Sequence, residues 1–139
     1  MQHWAKCAGA LALVGMGACQ KAVPAPTPSL EGKWTQKHYV VTAKDSHSQV
    51  STSATSSAPG TFLVISSQAM EYHAPNLSAP VTDSYTRQGN KLFITHNATA
   101  SKRTETIERL TADALALRTV RYTGAYLSDS TITVYHYMR

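Results

Sequence analysis

VTDSYTRQGNKLFITHN, Val81 to Asn97, consists of two short β-forming runs on either side of a turn. Val81–Arg87 and Lys91–Asn97 are rich in Val, Thr, Tyr, Phe and Ile, residues that suit a pleated, half-buried surface. Between them, Gln88-Gly89-Asn90 supplies small residues that tolerate positive φ, as a tight hairpin requires. Side chains alternate sides along a strand, so Leu92, Ile94 and His96 fall together on one face of the second run. The stretch predicts an antiparallel hairpin with one largely apolar face.

The same pattern extends in both directions. Runs of this kind occupy Lys33–Lys44, Thr61–Ser67, Ala69–Ala74, Arg103–Leu110, Ala114–Tyr122 and Thr131–Met138, and no amphipathic helix of any length interrupts them. Thr111-Ala112-Asp113 makes a second tight connection, and Pro75 and Pro80 bracket a third, where a missing N–H disturbs no ladder. Eight short strands in sequence predict an all-β antiparallel meander. Rolling it into an up-and-down barrel leaves no unpaired edge, so the expected fold is a closed eight-stranded barrel over residues 30–139. One connection differs. DSHSQVSTSATSSAPG, Asp45 to Gly60, has Ser or Thr at eight of its 16 positions, and two readings stand: a mobile loop, or a hairpin around Gln49 to Ala54 that prolongs the neighbouring strands.

Upstream of residue 30 the composition changes. Lys6 precedes AGALALVGMGA, Ala8 to Ala18, an apolar run too short to span a bilayer and typical of a secretory leader. Met16-Gly17-Ala18-Cys19 resembles the lipobox of bacterial lipoproteins, with Met16 in place of the usual leucine. That resemblance implies a signal peptide over 1–18 and an acylated Cys19, with palmitate-like chains holding the protein on a membrane. Gln20 rather than Asp after the cysteine implies the outer membrane of the cell envelope, on its periplasmic face or the cell surface. Residues 19–29, with prolines at 24, 26 and 28, read as an extended tether. With Cys7 lost and Cys19 acylated, no thiol remains for catalysis or a disulfide. The formal charge of +5 becomes +4 without Lys6, and the basic residues are scattered, so a nucleic-acid partner is not expected.

LEGKW, Leu30 to Trp34, resembles the G-x-W opening of lipocalins and of shorter bacterial lipocalin-like domains, and LTADALAL, Leu110 to Leu117, is similar to a late hairpin of the latter. The resemblance implies that an arginine of the last strand, here Arg139, packs over Trp34 as a cation–π lid. The competing reading leaves Arg139 in solvent. If Trp34 points inward, strict alternation also turns Gln36, His38 and Val40 inward. With Leu92, Ile94, His96, Leu115 and Leu117 they form an apolar lining with a few polar tips, equally suited to a small apolar or amphipathic ligand and to a filled core. The last run has no decidable inner face, since Val134, His136 and Met138 alternate with Tyr135 and Tyr137.

Catalytic signatures are missing from the sequence. There is no G-x-S-x-G, no H-x-H or H-E-x-x-H, and the acidic residues read as singletons, so neither enzyme activity nor a metal or other cofactor is expected. Glu105 with Arg103 reads as the solvated face of a strand. Two functions follow: a lipid-anchored barrel that binds a small ligand, or a filled barrel whose outer face, through residues such as Tyr122 and Tyr126, contacts an envelope protein.

Overall fold

The computed structural model describes residues 27–124 and 129–139. The leader, Cys19 and Tyr126 lie outside the described residues. The described residues contain no helix and form nine antiparallel strands: β1 (Gly32–Lys44), β2 (Val50–Ser56), β3 (Phe62–Ile65), β4 (Ala69–His73), β5 (Val81–Gln88), β6 (Lys91–His96), β7 (Lys102–Leu110), β8 (Ala114–Thr123) and β9 (Asp129–Met138). Each strand from β3 to β8 pairs with the next, and β9 pairs back onto β1 along most of its length. The result is a closed eight-stranded up-and-down barrel with β2 as an additional strand. The Val81–Asn97 hairpin forms with Gln88 opposite Lys91 and Gly89 at φ 61°.

β1 is long because it serves two neighbours on one side. Gly32–Thr35 pair with β3, whereas His38–Lys44 pair with β2. The Ser/Thr-rich segment after β1 therefore takes the hairpin reading. All seven residues of β2 are exposed, consistent with a composition that has little to bury.

The lower half of the barrel is packed. Trp34, Ile65, Leu92, Ile94, Leu115 and Leu117 are the largest fully buried side chains, and Leu30 lies with them in the same cluster. The Trp34 indole N–H donates to the Leu30 carbonyl at 2.8 Å, which satisfies the one polar atom of an otherwise apolar plug. Arg139 closes this pole from outside. Its guanidinium sits 4.2 Å from the centre of the Trp34 ring and donates to the carbonyls of Ser29, Glu31 and Ala112 at 2.9, 2.6 and 3.1 Å. Gly32 makes room for it. Its φ of +134° strains any side chain, and a Cβ there would meet Arg139 Nη2 at 3.2 Å. The G-x-W spacing thus places a glycine under the arginine and a tryptophan against it. Arg139→Ala is expected to lower stability by about 1–2 kcal/mol, since it removes a cation–π contact and three charge-assisted hydrogen bonds at a solvated site. Urea unfolding would check this, with Arg139→Lys recovering only part of the loss.

Candidate functional site: the upper half of the barrel

Strict alternation along β1 fails at one point. Gln36 pairs with Tyr137 but His38 pairs with His136, so Lys37 is an extra residue and β1 carries a β-bulge. Trp34 and Gln36 stay inside, at 0% and 6% exposure, while the next inward residue is Tyr39, opposite Tyr135. His38 and Val40 are thereby turned to the outer face, which corrects the expectation that they line the interior. The same pairing orients β9. Tyr135 and Tyr137 point inward, and Val134, His136 and Met138 point outward.

Across the outer seam, His38 and His136 stack with ring centres 4.4 Å apart. Burial lowers the pKa of His136 from its usual 6.5, and the neighbouring His38 lowers it further. The unfolded chain therefore binds this proton more readily than the folded one, so the stability tied to His136 is intact above about pH 6.5 and is lost as pH falls through the lowered value. The thermal midpoint is expected to drop between about pH 8 and about pH 5, and less steeply in His136→Phe. An unchanged slope in that variant would remove His136 from the account.

Above the packed half the interior opens. A cavity of about 400 Å³ lies between Leu63, Met70, Tyr72, Leu117, Tyr135 and Tyr137, with Arg103, Glu105, Thr119 and Arg121 along one side. A wider depression of about 750 Å³ at the mouth shares Tyr72, Arg103, Thr119 and Arg121 with it and adds His96, Lys102 and Tyr122. Desolvation raises the pKa of Tyr72, Tyr135 and, most strongly, Tyr137, so these phenols stay protonated and can donate hydrogen bonds at neutral pH.

One wall is charged. Arg103 donates from Nη1 to Asp83 Oδ2 at 2.7 Å and from Nε to Glu105 Oε1 at 3.0 Å, and Asp83 Oδ1 also meets His96 Nδ1. Asp83 and Glu105 are buried, at 4% and 7% exposure. Burial alone would lower the Arg103 pKa, but Glu105 and then Asp83 outweigh it and raise it, so the guanidinium remains charged. The reading of Arg103 and Glu105 as a solvated strand face is thus corrected. The signal was present in their spacing, because Ile107 is buried on the same face two residues on. Asp83, opposite His96 across β5 and β6, gave no such signal until the register was known.

The remaining expected lining residues divide by level. Trp34, Leu92 and Ile94 belong to the packed plug below the cavity, Leu117 forms its floor, and His96 stands on the charged wall at the mouth. Arg121 reaches the cavity from β8 and makes no ion pair among the described residues. Among those residues no group of three or more His, Cys, Asp or Glu side chains is arranged to hold a metal. Compared with family models, curated proteins and solved structures, the chain matches none.

Proposed function

We propose that the protein is an envelope lipoprotein, anchored through an acylated Cys19, whose lipocalin-like barrel binds one small amphipathic molecule in its upper half. The observation that carries this reading is the cavity of about 400 Å³, which falls within the usual range for small-ligand sites, roughly 300–1,000 Å³. Its chemistry suits an amphipathic guest. Tyr135, Leu117, Met70 and Leu63 offer apolar surface, while Tyr hydroxyls and the uncommitted Arg121 offer donors to an oxygen-rich or anionic group nearer the mouth. The alternative, contact with an envelope protein through the outer face, has Tyr122 in its favour, an aromatic ring left 60% exposed on β8.

Native mass spectrometry of the protein purified without detergent tests the binding reading. An added mass that is lost on mild activation is expected, and Thr119→Phe, which fills the cavity from β8, is expected to abolish it while leaving the fold intact. A bare mass that persists after incubation with lipids and small metabolites would overturn the proposal and direct attention to Tyr122 and its neighbours.

A further inference from the structure

β2 is bonded along one edge only: its residues pair with His38–Lys44 of β1, and no other strand of the described residues lies against its opposite edge. The phase of that free edge is fixed by the ends of the hairpin. Asp45 N–H donates to the Gln49 carbonyl at 3.1 Å, and Ser57 N–H donates to the Lys37 carbonyl at 3.0 Å. Hydrogen-bonded and non-hydrogen-bonded pairs alternate along an antiparallel ladder, so Ser51, Ser53 and Thr55 direct their N–H and C=O groups toward β1. Val50, Thr52, Ala54 and Ser56 direct theirs away from it.

Natural edge strands are usually blunted by a lysine, a proline, a bulge or extreme shortness, because an open row of amides is a template for another strand. VSTSATS has no charge and no proline, runs for seven residues and pairs with β1 without a register shift. It is an unguarded edge. No side chain of the strand itself carries a charge that would select a foreign sequence.

We propose that β2 pairs with β2 of a second copy of this chain, antiparallel about a two-fold axis through Ser53. That axis sets Val50 opposite Ser56 of the second copy and Thr52 opposite its Ala54. All four edge-facing residues then fall in hydrogen-bonded pairs, and the phase deduced from the hairpin ends matches without slippage. The larger side chains Val50 and Thr52 meet the smaller Ser56 and Ala54, and no charged residue stands opposite another across the pair. Edge pairing of one short strand is a small interface, so the dimer is expected to be reversible.

Sedimentation velocity of the purified protein over a micromolar concentration series should show the mass rising from one copy to two. Thr52→Pro removes an N–H that faces away from β1 and should hold the protein at one copy with unchanged circular dichroism. Thr52→Lys, which charges the edge without constraining the backbone, should do the same and separates loss of pairing from loss of fold. Ser53 faces itself across the axis as a non-hydrogen-bonded pair, with Cβ atoms about 4.5–5.5 Å apart. Oxidised Ser53→Cys should therefore yield a peptide cross-linked to itself at position 53, and Thr55→Cys should not. A single-copy mass at every concentration would overturn the proposal. So would a dimer that survives both Thr52 variants, or pairing of β2 with an added foreign peptide in a protein that stays monomeric.

Discussion

Trp34→Ala is expected to lower stability by about 3–5 kcal/mol, the usual cost of truncating a large buried aromatic residue. Against a typical domain total of about 5–15 kcal/mol, this is the most damaging single change in the plug. Three losses coincide at the site: a fully buried ring, the indole bond that satisfies the Leu30 carbonyl, and the surface on which Arg139 rests. Trp34→Phe separates them. It keeps most of the buried surface but leaves the Leu30 carbonyl without its donor, at a cost nearer 1–3 kcal/mol. Equilibrium denaturation of the two variants decides the matter. A loss below about 1 kcal/mol in the alanine variant would mean that the pole is held elsewhere.

Arg103→Leu should produce the second largest loss, by leaving two buried carboxylates facing one another. Removing one member of a buried ionic cluster costs about 3–5 kcal/mol, and the lower end applies because the Arg103 side chain is 42% exposed and water reaches it. Among the described residues, His96 then remains as the only basic partner of Asp83, and Glu105 has none. The rescue pattern is specific. Glu105→Gln or Asp83→Asn in the Arg103→Leu background should restore part of the loss, because each removes one of the two unpaired charges. If the double variants are no more stable than Arg103→Leu alone, the wall is held by packing rather than charge.

Much of the architecture was readable from local pattern. The eight barrel strands follow runs of β-branched and aromatic residues, and the Gly89-Asn90 turn sets its hairpin register directly. That Arg139 comes near Trp34 follows from closure, because a closed meander brings the last strand beside the first, whereas the stacked guanidinium was implied only by the lipocalin resemblance, against a reading that left Arg139 in solvent. What was not readable depends on single-residue phase. One extra residue at Lys37 reverses the faces of everything after it in β1, and nothing in QKHYVV marks where alternation slips. The charged wall was hidden for another reason. Asp83, His96, Arg103 and Glu105 lie on three strands and meet only through the β5–β6–β7 register, whereas each alone resembles a surface residue. The segment from Asp45 to Gly60 admitted two structures because Ser and Thr suit loops and exposed strands alike.

The barrel also has a heading. Its chain comes in at Thr27 to Leu30 beside the stoppered pole, under Arg139, while the cavity opens at the other end among Lys102, Arg121 and Tyr122. Under the anchoring and binding proposed above, a guest would enter the barrel from the end opposite the one at which the chain joins it, as into a cup whose base is at Thr27 to Leu30.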